Sequence, residues 1–162
     1  MDIDHARTPV TAAARNTMRA NRGRDTVPEL ALRSILHARG LRFRVNSPLP
    51  VDARRRADLT FSRAGLYVFV DGCFWHGCPE HFVEPKTRAA FWLDKIRGNQ
   101  ARDLDTRWKL EAIGAHVVRI WEHTDPMVAA DAVEGMYRDL IAEAAIGHHT
   151  SGRQRAAESG PS

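Results

Sequence analysis

Residues 71–81 (DGCFWHGCPEH) directly follow the apolar run of residues 66–70 (LYVFV). The run is rich in β-branched and aromatic residues and predicts a buried strand. The segment after it holds both cysteines of the chain, two histidines, two acidic residues and an adjacent Phe–Trp pair. A rigid strand positions reactive side chains precisely at its end, so this segment predicts a functional site.

Both cysteines and one histidine of the segment follow a C-x4-C-x2-H pattern, formed by Cys73, Cys78 and His81. A structural zinc site needs four thiolate or imidazole ligands that converge tetrahedrally, so the segment supplies three of them. In a reducing cytoplasm, cysteines this close are more often metal ligands than a disulfide. Buried thiols or a redox pair are the alternative interpretation.

The fourth ligand is predicted at the end of another apolar run. Residues 115–121 (AHVVRIW) predict a buried strand, and two polar residues follow it, the second of which is His123. If this strand lies parallel to the strand at 66–70, the two strand ends meet and His123 completes the zinc site. His116 and Glu80 are the alternative fourth ligands.

A second metal site is predicted at the open end of a hairpin. The short strand at 57–61 (ADLTF) is joined to the buried strand by a turn at 62–65, which favours antiparallel pairing. Asp58 and Asp71 would then lie side by side, and paired carboxylates at strand ends are typical Mg²⁺ ligands. Alternatively, Asp58 only caps its strand or pairs with Arg56.

Three further side chains of this region carry chemistry. His76 lies outside the C-x4-C-x2-H pattern, and an imidazole near neutral pH suits general acid or base work. A zinc ligand or a hydrogen-bonded loop histidine is equally compatible. Phe74 and Trp75 are consecutive and cannot both face one core, so they suit stacking on DNA bases or wedging between them, with Trp92 as a partner. A roof over the zinc site is the alternative.

The chain of 162 residues is basic, with 24 Lys and Arg against 20 Asp and Glu and a formal net charge of +4. An arginine-rich basic protein of this size favours a nucleic acid as partner. Residues 1–24 predict a basic arm whose arginines, including Arg19 and Arg22, contact phosphates. A terminus that frays without such a role is the alternative. No apolar run suits a membrane span or a signal peptide, so a cytoplasmic protein without membrane contact is expected.

The remaining pattern predicts one α/β domain over residues 25–146, long enough for a hydrophobic core. A helix begins at residue 25 or 26, and Glu29 in its first turn is explained by the helix dipole or by catalysis. Further predictions are a strand at 41–45, a loop at 46–56, a helix at 87–113 with apolar positions that include Leu104, Trp108 and Leu110, a helix from 124 to about 145, and a disordered tail at 147–162. The result is a mixed sheet flanked by helices.

Several motifs together resemble a known family. The chain contains MRANRGRDTVPE, GCFWHGCPEH, FWLDKI-x2-N and VVRIWEH in this order. They are similar to motifs of the very-short-patch (Vsr) mismatch repair endonucleases, over about residues 15 to 140. The resemblance implies a restriction-endonuclease-like fold with a structural zinc. It also implies a Mg²⁺-dependent enzyme that nicks DNA beside the thymine of a T:G mismatch, the product of deaminated 5-methylcytosine.

The resemblance implies roles for the acidic and histidine residues. Asp58 is similar to the metal-binding catalytic aspartate of the family, and His76 to the histidine beside the scissile phosphate. Glu29 resembles a helix glutamate that helps to arrange the metal and its waters. Mg²⁺ would be held by Asp58, together with Asp71 or the carbonyl oxygen of Val70.

The resemblance also implies the DNA contacts. Phe74, Trp75 and Trp92 are similar to the aromatic residues that wedge into the duplex beside the mismatch. Lys95, Arg97 and the N-terminal arginines would hold the DNA backbone. Double-stranded DNA with a T:G mismatch is therefore the expected partner, mismatch repair proteins are further partners, and the protein is expected to be a monomer that associates with the nucleoid through DNA.

Some positions depart from the family pattern and keep other functions open. Asp71 stands where the family can have a histidine, Cys78 where a histidine can occur, and His123 where a cysteine can occur. Zinc accepts either ligand type, but the choice between His81 and Glu80 stays open. The alternatives to mismatch repair are a related nickase for another sequence or lesion, a zinc-stabilised DNA-binding module without catalysis, and a redox protein.

Overall fold

The computed structural model describes residues 24–158, and it describes side chains for residues 24–146. The described residues form a mixed α/β fold, as the sequence predicts. Its elements in chain order are α1 (Val27–Ala38), β1 (Arg44–Leu49), β2 (Asp52–Phe61), β3 (Leu66–Asp71), α2 (Cys73–His76), α3 (Ala89–Glu111), β4 (His116–Trp121) and α4 (Pro126–Glu158).

A four-stranded mixed sheet with the order β1-β2-β3-β4 forms the centre of the fold. β2 pairs antiparallel with both β1 and β3, and Leu59 lies opposite Val68 in the hairpin of β2 and β3. β3 and β4 are parallel, so Asp71 lies beside Trp121 where both strands end. A parallel pair needs a crossover connection, which contains α3. The predicted hairpin and the predicted parallel neighbour are both confirmed.

Helices cover both faces of the sheet. Successive side chains of a strand point to opposite faces, so Val68 and Phe69 of β3 face different helices. Val68 packs in a cluster with Leu36 of α1 and Val133 of α4, all of them fully buried. Phe69 belongs to a second cluster that contains Leu110 of α3. The hydrophobic core therefore has two layers, and the end of β3 emerges between them.

The prediction for residues 41–56 is wrong in its boundaries. The predicted strand at 41–45 is displaced to β1, and most of the predicted loop belongs to a hairpin of β1 and β2. Pro48 obscured the strand, but β1 is an edge strand of the sheet, where a proline is tolerated. The register shifts between Pro48 and Leu49. Asp58 consequently lies within a ten-residue strand rather than near the start of a short one.

The chain termini differ from the prediction or lie outside the described residues. α4 continues to Glu158, whereas the sequence predicts a helix end near residue 145 and disorder over 147–162. Residues 159–162 and residues 1–23, with Arg19 and Arg22, lie outside the described part of the chain. Within residues 24–158, no helix combines the length and the apolar composition that a membrane span requires.

Two of the apolar positions named for the long helix are exposed in α3. Leu104 and Trp108 are 52% and 66% exposed, whereas Leu110 is fully buried and Ile96 and Thr106 are nearly so. The helix therefore contacts the rest of the protein through a narrow stripe. One contact surface is the sheet near Leu110, and the other is α2 near Ile96.

Two truncations on α3 test this assignment of its faces. Leu110→Ala should lower the free energy of unfolding by about 2–4 kcal/mol, because it removes buried methyl groups and leaves a cavity. Leu104→Ala is the matched control and should change it by less than about 0.5 kcal/mol. Urea denaturation followed by circular dichroism measures both, and equal losses would contradict the assignment.

Candidate active site and metal centre

A cleft of about 1090 Å³ opens where β2 and β3 meet α1, α2 and α3. The residues that line it include nine that the sequence analysis singled out: Glu29, Asp58, Val70, Asp71, Phe74, Trp75, His76, Trp92 and Lys95. Arg97 is not among the lining residues and lies at the exposed surface of α3, 3.6 Å from Asp94. The structure thus brings together the predicted catalytic and aromatic residues in one cleft.

The short helix α2 and the turn after it position this segment. Gly77 has a left-handed backbone with φ 63°, which turns the chain so that the amide of Cys78 donates to the carbonyl of Cys73 at 2.9 Å. A Cβ at Gly77 would lie 2.9 Å from Nε2 of Gln100 and 3.1 Å from Cγ2 of Ile96. The left-handed backbone and the close approach to α3 both favour glycine at this position.

Two side chains of α3 fasten α2 to the long helix. Nδ2 of Asn99 donates to the carbonyl of Trp75 at 2.8 Å, and Nε2 of Gln100 donates to the carbonyl of His76 at 3.0 Å. Both bonds satisfy carbonyl groups at the end of a one-turn helix, where no intrahelical donor is available. They fix the backbone from which the Trp75 and His76 side chains extend.

The four predicted zinc ligands lie close together around α2 and the end of β4. Nδ1 of His123 lies 3.1 Å from Sγ of Cys73 and 3.7 Å from Sγ of Cys78, and Nδ1 of His81 lies 3.8 Å from Sγ of Cys78. All four ligand atoms lie within 4.8 Å of one another. A tetrahedral zinc with ordinary bond lengths requires sulfur–nitrogen separations of about 3.6 Å.

The chemistry of this cluster also fits a metal cation. Burial raises the pKa of the Cys73 thiol to about 11. Its thiolate therefore forms at neutral pH only if a positive charge compensates it, as a bound metal does. Of the alternative ligands, Glu80 lies 3.6 Å from the far nitrogen, Nε2, of His123. His116 is exposed at the opposite end of β4.

Asp58 enters the cleft from β2 as a partly desolvated acid. One of its oxygens, Oδ2, accepts a hydrogen bond from the amide of Val70 at 2.8 Å. Burial is the largest cause that raises the pKa of Asp58 to about 6, and the nearby charge of Glu29 adds to it. A carboxylate in such surroundings is stabilised when a cation binds to it.

Glu29 is buried at the start of α1 and has a structural role. Its Oε1 accepts from Oγ1 of Thr26 at 2.9 Å, and its Oε2 accepts from the amide of Asp25 and from Arg33 at 2.9 and 2.7 Å. This arrangement closes the helix N-terminus as a capping residue does. The capping explanation of Glu29 is therefore present in the structure, and the same side chain lines the cleft.

Asp71 and Asp58 do not form the predicted pair of free carboxylates, because Asp71 is bound to Arg119 of β4. Nε and Nη2 of Arg119 donate to Oδ2 and Oδ1 of Asp71 at 2.6 and 2.5 Å. Nη2 also lies 3.0 Å from Oδ1 of Asp103 on α3. The other oxygen of Asp103 accepts from Nδ1 of His76 at 2.6 Å, and Nε2 of His76 lies 3.8 Å from Asp71.

Sequence reasoning missed both Arg119 and Asp103. Arg119 carried a signal, because an arginine inside the apolar run 115–121 must find a partner when the strand is buried. Asp103 carried none, since acidic residues are common on exposed helix faces. Only the crossover of α3 over β3 and β4 shows that the two residues meet.

The three predicted aromatic residues form one group at the cleft. The ring centroids of Phe74 and Trp75 are 5.2 Å apart, and those of Phe74 and Trp92 are 5.5 Å apart. Both pairs are close to perpendicular, the arrangement that aromatic rings prefer. Phe91 extends the group beyond Trp92, and the guanidinium of Arg88 lies 4.8 Å from its ring centroid. Large apolar side chains and cations thus lie side by side.

Comparisons with known proteins show which proteins this chain is similar to. The family model described as "DNA mismatch endonuclease Vsr" matches residues 9–81. The chain is 39% identical to the type II nicking enzyme V.NaeI of Lentzea aerocolonigenes, over 77% of this chain and 76% of the relative. It is 38% identical to the DNA mismatch endonuclease Vsr of Escherichia coli, over 68% and 70% of the two chains. The type II nicking enzyme V.XorIIP of Xanthomonas oryzae is 38% identical over 67% of this chain and 78% of the relative.

The raised pKa of Asp58 predicts a stabilising substitution. The pKa of Asp58 is about 4 in the unfolded chain and about 6 in the folded protein. Its ionisation therefore lowers the stability of the protein as the pH rises from about 4 to about 6, and the loss persists above pH 6. Asp58→Asn keeps an acceptor for the Val70 amide. It should therefore stabilise the protein at pH 7.5, by on the order of 1–2 kcal/mol, and not at pH 4.

Asp105→Asn is the control for this measurement. Asp105 is half-exposed, and hydrogen bonds from Lys109 and then Arg55 lower its pKa, so removing its charge should not stabilise the protein at any pH. Thermal unfolding at pH 4 and pH 7.5 distinguishes the two variants. An Asp58→Asn protein less stable than wild type at pH 7.5 would show that the carboxylate is not destabilised in the native state.

Proposed function

This chain belongs to the Vsr family of DNA mismatch endonucleases and is a DNA-nicking endonuclease, and we propose that it nicks one strand beside the thymine of a T:G mismatch. The reaction would depend on Mg²⁺ and begin very short patch repair of deaminated 5-methylcytosine. The observation that supports this most is that one cleft holds an unneutralised acid, an oriented histidine and an aromatic group. The proposed fold class is restriction-endonuclease-like.

Asp58 is the proposed main ligand of the catalytic Mg²⁺, because it is a desolvated carboxylate near a second acid. The carbonyl oxygen of Val70, on the residue whose amide binds Asp58, is the proposed second protein ligand. Glu29 would help to arrange the waters of the ion from the adjacent wall of the cleft. A bound Mg²⁺ would polarise the scissile phosphate and stabilise the negative charge that develops on it.

His76 is the proposed general base. The carboxylate of Asp103 accepts from Nδ1, so the proton of a neutral imidazole resides on Nδ1 and the lone pair on Nε2. Nε2 is then the atom that takes a proton from the attacking water. This use of a carboxylate to fix the tautomer and the ring orientation is the same as in other acid–histidine pairs.

The aromatic group is the proposed mismatch probe. Insertion of Phe74, Trp75 and Trp92 into the duplex would cost a few kcal/mol of unstacking per base step, and less at a mismatch. Discrimination then comes from the deformability of the DNA as well as from base contacts. Lys95, Arg97 and the N-terminal arginines Arg19 and Arg22 would hold the phosphates on either side.

The cluster of Cys73, Cys78, His81 and His123 is the proposed structural zinc site. These four side chains would fill all four positions of a tetrahedral zinc, and no open position would remain for substrate. The metal would tie the turn after α2 to the end of β4 and thereby hold the aromatic probe and His76 in place. Structural sites of this kind contribute directly to folding.

The names of three relatives favour one alternative. Type II nicking enzymes are among the proteins most similar to this chain, so a nickase that recognises a particular sequence or another lesion is the second candidate. Both candidates use the same cleft and differ only in the DNA they select. Further partners proposed from the family are mismatch repair proteins, and the proposed state in solution is a monomer.

Strand mapping on a panel of duplexes tests the proposed function. With Mg²⁺, the wild-type protein should nick a T:G duplex beside the thymine, at least tenfold faster than a matched duplex or another mismatch. Asp58→Ala should lose the reaction and retain DNA binding, because it removes the metal ligand and leaves the aromatic probe. Equal cutting of matched and mismatched DNA would instead support the sequence-specific nickase.

Metal analysis of two histidine variants tests the proposed zinc site. His116 is the first residue of β4, and His123 follows the end of the strand. The purified wild-type protein should contain one zinc per chain, and His123→Ala should contain much less and unfold at a lower temperature. His116→Ala is the control and should keep the zinc, because this exposed residue lies at the far end of the strand. Undiminished zinc in His123→Ala would refute the ligand assignment.

A further inference from the structure

We propose that Arg119 is a positioning residue of the nicking reaction, because it binds Asp71 and Asp103, the two acids on either side of His76. Asp71 therefore helps to orient His76 and does not bind the catalytic Mg²⁺. This inference rests on the proposed function, because it assigns roles around a metal site at Asp58. It deepens that proposal by separating the acids of the cleft into a metal ligand and a pair of orienting groups.

The four side chains form a closed ring of contacts. Arg119 binds both oxygens of Asp71 at 2.5 and 2.6 Å and reaches Asp103 at 3.0 Å. Asp103 binds Nδ1 of His76 at 2.6 Å, and Asp71 lies 3.8 Å from Nε2 on the other side of the same imidazole. One guanidinium thus fixes the two carboxylates that flank the proposed base.

The geometry leaves Asp71 poorly suited to a metal. Mg²⁺ binds carboxylate lone pairs with little tolerance in geometry, and both oxygens of Asp71 already accept charge-assisted bonds from one guanidinium. A cation bound there would have to displace Arg119 or lie next to its positive charge, which is unfavourable in a buried site. The Asp71 side chain is only 9% exposed, so water would screen that repulsion weakly.

Asp58 differs in this respect. Its Oδ2 accepts from an uncharged amide, and no cationic side chain of the described residues lies within ion-pair distance of it. Arg33 acts on the Asp58 carboxylate only from a distance, whereas Arg119 binds both oxygens of Asp71 directly. The proposed metal therefore meets less competition at Asp58 than at Asp71.

An arginine suits this ring where a lysine does not. The planar guanidinium presents several donors in a fixed fork, so it can bind Asp71 with two nitrogens and still reach Asp103. Its position is set by the parallel register, in which Arg119 lies beside Phe69, and by contact with the Phe69 ring 5.0 Å from the guanidinium carbon. Removing this group would release both carboxylates and, through them, the orientation of His76.

Two measurements on the full-length protein test the inference. The first is the rate of nicking of the T:G duplex as Mg²⁺ is varied, which separates kcat from the Mg²⁺ concentration at half-saturation. The second is calorimetric titration with Mn²⁺ in the absence of DNA, which reports metal affinity without catalysis. The variants are Asp71→Asn, Arg119→Lys, their combination, and Asp58→Asn, with Asp105→Asn as the control for loss of an acidic charge outside the cleft.

We expect Asp71→Asn and Arg119→Lys to lower kcat by about 10- to 100-fold and to change the Mg²⁺ half-saturation and the Mn²⁺ affinity by less than about twofold. The combined variant should be no more than about threefold slower than the slower single variant, because both residues act through one ring. Asp58→Asn should weaken Mn²⁺ binding at least tenfold, and Asp105→Asn should match wild type.

Other outcomes overturn the inference or the function beneath it. If Asp71→Asn binds Mn²⁺ at least tenfold more weakly, or regains its rate at high Mg²⁺, then Asp71 is a metal ligand. An Arg119→Lys protein with wild-type kcat would remove the positioning role of Arg119. A wild-type protein that neither nicks DNA nor binds Mn²⁺ would contradict the proposed function itself. If the wild-type protein is active and Asp71→Asn binds Mn²⁺ more weakly, only the inference is contradicted.

Discussion

The parallel pairing of β3 with β4 is the constraint on which the site depends. Because both strands end at the same edge of the sheet, with Asp71 beside Trp121, the residues that follow them meet. Cys73 and His123 then come within 3.1 Å of each other on one side of α2. Arg119, two residues before the end of β4, reaches Asp71 on the other side. The crossover that parallel strands require brings α3 back over the same edge.

The residues around α2 meet the electrostatic cost of burial in different ways. Asp71 is matched by a guanidinium, and the buried thiol of Cys73 lies among ligands that suit a cation. Burial raises the pKa of Asp58 to about 6, so its ionised form lowers the stability of the native state. Such an unfavourable group persists because the surrounding sheet holds it, which is typical of functional sites.

Local patterns in the sequence predicted the parts of the structure that depend on near neighbours. The strand at 66–70, its hairpin and the close approach of the two cysteines and two histidines are found as expected, because strand periodicity and the spacing of Cys73, Cys78 and His81 are local properties. The hairpin of β1 and β2 was predicted as a loop because it contains prolines and charged residues. An edge strand of a sheet tolerates both. The ring through Arg119 and Asp103 joins residues distant in sequence, so only the topology could show that Asp71 has a cationic partner.

The most direct measurement is a crystal structure of the protein with a T:G duplex and Mn²⁺, with anomalous scattering recorded for manganese and zinc. We expect a manganese peak at Asp58, a zinc peak among the two cysteines and two histidines, and Asp71 still bound to Arg119. The aromatic group should lie against the mismatched base pair. A manganese ion coordinated by Asp71, or a cysteine–histidine cluster without metal, would contradict this division of roles.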